Sequence, residues 1–138
     1  MLELDGQRLT LRQIDAAARG KDQVALAASA RKRAEEARRV VEQIVAEGRT
    51  VYGVNTGFGK LSDVHIDPSQ LSALQLNLVR SHSCGLGPAL SESEARALVL
   101  LRANVLARGY SGCRAVLIEA LVALLDRCVT PVIPEKVR

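Results

Sequence analysis

Residues 112–128 constrain the fold most. Val116, Leu117, Ile118, Leu121, Val122, Leu124 and Leu125 surround a single charge, Glu119, so this segment reads as a helix that is apolar almost all round. Such a helix has to be covered on most sides. The rest of the chain offers aliphatic partners for it. Nearly half of the 138 residues are apolar, yet only three are aromatic, so the core is built from Ala, Leu and Val, the composition of packed helices. Four or five helices of this length do not readily enclose an all-apolar one, and the chain reads as expecting more protein around it.

Upstream, local signals place the other elements. Leu2 and Leu4 alternate with Glu3, Asp5-Gly6 is a turn signal, and Leu9 closes a return strand, which predicts a small amino-terminal β-hairpin. Thr10 and Gln13 have capping-box spacing for a short helix that runs to Gly20. A longer helix is expected over 22–47, ended by Gly48, with Ala37, Val40, Val41, Ile44 and Val45 as its apolar stripe. Its other face carries Arg31, Glu35 and Arg39 at four-residue spacing, a solvated charged face. Asp67-Pro68 opens another helix, with Leu71, Leu74 and Leu78 on one side, to about Ser83. Gly85-Leu86-Gly87-Pro88 breaks it. Ser91 and Glu94 form a second capping box, and Leu98, Leu101, Val105 and Leu106 are expected to line the next helix up to Gly109. The end, Thr130 to Arg138, is extended and punctuated by Pro131 and Pro134. The fold class is therefore mainly α: a hairpin, about five helices and a Gly-rich loop in one domain over 1–138.

Several function classes find no support. No window nears the roughly 18 apolar residues of a membrane span. Met1-Leu2-Glu3-Leu4-Asp5 lacks a secretory n-region and h-region, so the expected location is cytoplasmic. Cys84, Cys113 and Cys128 are too irregular for a disulfide framework or zinc site and are expected to be buried small hydrophobes. His65 and His82 have no metal-ligand spacing, so no metal is expected. An excess of 19 Lys and Arg over 15 Asp and Glu is too mild to imply nucleic acid.

Chemistry is concentrated in two segments. Val51 to Gly59 reads Val-Tyr-Gly-Val-Asn-Thr-Gly-Phe-Gly. It is not a phosphate loop: Gly53 and Gly59 have five residues between them rather than four, and Lys60 is followed by Leu61 in place of Ser or Thr. Instead the glycines allow unusual backbone placement of Tyr52. A phenol in a water-poor site near positive charge can serve as a general base, whereas the plain alternative is a tyrosine packed under a turn. The second segment, Arg80-Ser81-His82-Ser83-Cys84-Gly85, puts His82 at a helix end, where it is available as a ligand or proton carrier or simply as a cap.

In order and spacing, these two motifs resemble the aromatic amino acid ammonia-lyase and aminomutase family, most of all its histidine ammonia-lyases. The likeness runs from Leu-Glu-Leu-Asp-Gly through Leu-Leu-Arg-Ala-Asn-Val-Leu-Ala-Arg-Gly-Tyr-Ser-Gly at 100–112 to Thr-Pro-Val-Ile-Pro-Glu-Lys. It implies the amino-terminal domain of the ammonia-lyase (L-aspartase-like) fold and conversion of L-histidine to urocanate and ammonia in a homotetramer. It implies a methylidene-imidazolone electrophile formed from an internal Ala-Ser-Gly. By the same resemblance Tyr52 acts at the β-carbon and His82 lines the side-chain pocket. Gly53, Asn55, Thr56, Gly57, Phe58 and Gly59 form the loop that covers the site. Ser81-His82 and Asn55 resemble the histidine-using branch, although aminomutases share the Val-Arg-Ser-His-Ser stretch and remain the alternative, as does a non-catalytic helical module. There are two departures. Cys113-Arg114-Ala115 replaces an apolar residue, Arg and Pro. After Pro-Glu-Lys the family continues Gly-Ser-Val-Gly-Ala-Ser-Gly, whereas here Val137-Arg138 follow and no Ala-Ser-Gly occurs. The expectation is an amino-terminal fragment, inactive by itself.

Overall fold

The structure, a computed structural model, describes residues 1–61 and 64–137. In chain order these form β1 (Leu2–Leu4), α1 (Leu11–Ala18), β2 (Val24–Leu26), α2 (Ala28–Ala46), α3 (Leu71–His82), β3 (Gly85–Ala89), α4 (Glu92–Ala107), α5 (Ala115–Asp126) and β4 (Pro134–Val137). Single 3-10 turns lie at Gly59–Leu61 and Pro68–Gln70. The mainly helical class is the expected one.

Two helices begin where their caps predict. Thr10 Oγ1 accepts from the Gln13 N–H while the Gln13 side chain returns to Thr10, and Ser91 and Glu94 do the same for α4. Each box satisfies amide groups that the first turn leaves without partners.

The expected hairpin does not form. β1 pairs in parallel with β2, Leu2 opposite Val24 and Leu4 opposite Leu26, and a parallel pair needs a crossover connection, which α1 provides. The Asp5-Gly6 turn is real but is held by α4 instead of a return strand. Gly6 has φ +79° and donates to Asn104 Oδ1 at 3.1 Å, and Asn104 Nδ2 donates to the Gln7 carbonyl at 2.8 Å. The same pairing shortens the helix expected over 22–47. Val24, Ala25 and Leu26 are drawn into the sheet, the Val24 N–H donates to Asp126 Oδ1, and α2 starts only at Ala28.

α4 is the central element, packed on α1 and α5 and touching α2 and β1. Its inward face is Ala95, Val99, Leu100, Ala103, Leu106 and Ala107. Of the expected stripe only Leu106 is buried, whereas Leu98 (47%), Leu101 (40%) and Val105 (55%) are exposed. Three alanines let neighbouring helices approach closely, and that close approach selects the small-residue face over the bulkier one. α2 behaves alike: Ala30, Ala34 and Ile44 are buried while Val40 faces outward. On its charged side Arg31 bonds Glu35 (3.0 Å) and also reaches Glu119, so the charge within the apolar run of α5 ties that helix to α2. Arg38 pairs with Glu42 at 2.8 Å, while the expected partner of Arg39, Glu35, is engaged by Arg31.

α5 buries Ala115, Ile118, Val122 and Leu125 and leaves Val116 and Leu117 exposed. Arg96 joins the ends of α1 and α5. It is buried, and its guanidinium donates to the carbonyls of Ala18 (2.9 Å) and Leu125 (3.0 Å), both at the carboxy-terminal ends of their helices.

The Gly85–Ala89 break is itself a strand. It pairs antiparallel with β4, Gly85 opposite Val137 and Leu86 opposite Lys136. The cysteine expectation needs correction too. Cys113 is half-buried, but Cys84 and Cys128 are exposed, because each follows a helix end at the surface.

Candidate functional site

The tyrosine loop follows α2 and turns back on itself through its own side chains. The amides of Val54 and Asn55 both donate to the Val51 carbonyl, at 3.0 and 3.3 Å, which closes a single turn with Tyr52 inside it. Gly53 takes φ +76°, and nothing lies within 4 Å of where its Cβ would be, so glycine serves there for its backbone conformation and not for space.

Asn55 is 2% exposed and every polar group it has is engaged. Its N–H donates to Val51, its carbonyl accepts from the Ile66 N–H (2.9 Å), its Oδ1 accepts from the Val51 N–H (2.9 Å), and its Nδ2 donates to the Arg49 carbonyl (2.7 Å). Thr56, also buried, donates to the Gly57 carbonyl at 2.9 Å and accepts from the Gly53 N–H at 3.4 Å. Gly57 is buried and donates to the Val64 carbonyl, and Thr56 forms an antiparallel bridge with His65.

The amides of Gly53, Val54, Asn55 and Gly57 are thus all given to the loop itself. They are not free to cradle a phosphate, in keeping with the mismatched spacing.

Above this bonded base stands Tyr52, 64% exposed. Its ring meets the half-buried Phe58 edge-on, with centroids 6.1 Å apart and planes at 72°, the arrangement that the ring quadrupoles favour. Gly59, exposed, begins the following 3-10 turn.

His82 is the last residue of α3 and is exposed. Its Nδ1 lies 2.9 Å from the Leu78 carbonyl and 3.0 Å from Ser81 Oγ. A neutral ring that gives its Nδ1–H to that carbonyl presents Nε2 as an acceptor. α3 has no buried residue, and its expected apolar positions Leu71, Leu74 and Leu78 are only half-buried.

Tyr52 pairs with Phe58, while no hydrogen bond joins Tyr52 to His82 among the described residues. A cavity of about 850 Å³ lies between α2, the loop and α3, with Val41, Val45, Gly53, Val54, Leu71 and Gln75 among its walls. Neither Tyr52 nor His82 lines it. Among the described residues no cluster of three His, Cys, Asp or Glu forms a metal site, and no helix is long and apolar enough to cross a membrane.

A sequence model of the family described as aromatic amino acid lyase matches residues 9–137. The chain belongs to that family. It is 51% identical over 135 residues to a histidine ammonia-lyase of Anaeromyxobacter dehalogenans, covering 98% of this chain and 27% of the relative. Among solved structures, a tyrosine aminomutase from Streptomyces globisporus superposes with a TM-score of 0.92 at 38% identity, over 98% of this chain and 26% of that one. A histidine ammonia-lyase from Trypanosoma cruzi gives 0.89 at 39% identity, with the same shares covered. The chain thus spans about a quarter of the length of the relatives it matches.

Within the aromatic amino acid lyase fold, reading the sequence singled out Tyr52 and His82 but missed the work of Asn55. The available signal was an Asn inside a glycine-rich turn, where its amide readily bonds nearby backbone.

Proposed function

We propose that this chain is the amino-terminal domain of an ammonia-lyase that converts L-histidine to trans-urocanate and ammonia. Tyr52 is the acid–base group at the substrate β-carbon and His82 lines the side-chain pocket. The observation that carries the reading is the contrast within the loop: a phenol left exposed on a base whose amides and side chains are bonded in place. A side chain that must meet a reacting carbon needs a fixed origin and a free end. His82, with Nε2 as an acceptor, suits an imidazole N–H donor on the substrate.

In the family a methylidene-imidazolone supplies the electrophile that takes up the amine. No Ala-Ser-Gly, from which that group forms, occurs among these 138 residues. This chain therefore contributes proton handling and recognition, and alone it forms no urocanate. Assembly as a homotetramer and a cytoplasmic location complete the proposal. The three free cysteines suit a reducing compartment.

Joining this chain to the remaining part of the Anaeromyxobacter dehalogenans enzyme tests the reading. Tyr52→Phe is expected to lower kcat by about 10²–10⁴-fold, and His82→Leu is expected to raise KM for histidine. A Tyr52→Phe hybrid as fast as its parent overturns the role of Tyr52. The likeness to the tyrosine aminomutase supports a second reading, and product analysis separates the two: a β-amino acid indicates a mutase, an unsaturated acid a lyase.

A further inference from the structure

The bonds around Asn55 assign it more than a place in the loop. We propose that Asn55 is the positioning residue for Tyr52, holding the backbone from which the phenol projects; this rests on the reading of Tyr52 given above. Among the described residues the aromatic partner of the exposed Tyr52 ring is Phe58, another loop residue, so the placement of the phenol depends on the main chain beneath it. That main chain is pinned at two points just before Tyr52, the Arg49 carbonyl and the Val51 N–H, and both bonds come from one buried amide. The Asn55 N–H closes the turn onto the Val51 carbonyl, and its own carbonyl is held by Ile66. One residue therefore fastens the run before Tyr52 to the 64–66 segment after it.

Asparagine suits this task because its amide is both donor and acceptor. Aspartate keeps the acceptor for Val51 but sets a carboxylate oxygen against the Arg49 carbonyl. Alanine loses both bonds and takes the side-chain partners from the Arg49 carbonyl and the Val51 N–H, both part-buried.

The same hybrid enzyme tests the assignment. Asn55→Ala is expected to lower kcat about 10²-fold, the scale of a small misplacement of a reacting group, with KM changed by less than about twofold. Asn55→Asp falls between, restoring part of kcat. In a Tyr52→Phe background Asn55→Ala adds no further loss, because the group it positions is gone. In the 138-residue chain, the Val51 amide exchanges with solvent faster in Asn55→Ala and at its original rate in Tyr52→Phe.

Full kcat in Asn55→Ala beside an inactive Tyr52→Phe overturns the positioning role and leaves Tyr52 intact. Losses that add in the double variant, or a Val51 amide whose exchange does not change, overturn it as well. An active Tyr52→Phe hybrid instead removes the reading on which the assignment rests.

Discussion

At the scale of single residues, two glycines with similar backbones have different consequences. Gly6 and Gly53 have φ of +79° and +76°, a region that costs most L-residues, alanine included, about 1–2 kcal/mol. A Cβ on Gly53 meets open space, whereas one on Gly6 comes within 2.8 Å of the Arg108 backbone nitrogen. Gly6→Ala is therefore expected to destabilise the chain by at least about 2 kcal/mol, strain plus overpacking. Gly53→Ala costs about 1 kcal/mol, confined to the loop. Urea denaturation measures both, and equal shifts in midpoint refute the packing argument. The two positions were unequally legible. Glycine-rich sequence announced a loop at 53–59, and Asp5-Gly6 announced a turn, but the helix end that Gly6 rests on is about a hundred residues away in the chain.

At the scale of elements, the capped starts of α1 and α4 were the most legible part of the fold, because a capping box is written within four residues. Thr10→Ala is expected to remove about 1 kcal/mol, measured as a lower urea midpoint; an unchanged midpoint shows that the cap of α1 contributes nothing. The second box adds a pH dependence. The Ser91 hydroxyl, and after it the Ser91 backbone N–H, holds the Glu94 carboxyl below the usual carboxylate range. A depressed folded-state pKa contributes stability that is present above the unfolded value and lost as pH falls through the folded one. Acidification from roughly pH 7 to roughly pH 3 is thus expected to destabilise the parent more than Glu94→Gln. Equal acid sensitivity of the two rules the effect out. Strands were far less legible. Three residues at 2–4 and three at 24–26 fit several local patterns, and only their pairing across α1 makes them a sheet.

At the scale of the whole molecule, exposed apolar side chains are found on several helices, α4 and α5 among them. Leu98, Leu101 and Val105 follow i, i+3, i+7 along the outside of α4, and Val116 and Leu117 stand out from α5. Contiguous exposed apolar surface promotes association. The isolated chain is expected to self-associate and bind a hydrophobic dye, and Leu98→Gln, Leu101→Gln and Val105→Gln together are expected to reduce both without lowering the urea midpoint. Sedimentation of the parent as a monomer without dye binding counts against this. The all-apolar character of 112–128 already indicated a chain that wants more cover, but it placed that surface on α5 alone. Sequence by itself determined what depends on neighbours along the chain: the two capped helix starts, the glycine-rich turn and the family. Only the tertiary structure decided that β1 pairs with β2, that the alanine face of α4 turns inward, and that the Asn55 amide underpins Tyr52. Those outcomes depend on which surfaces fit closely and which buried polar groups find partners, and neither property can be read one residue at a time.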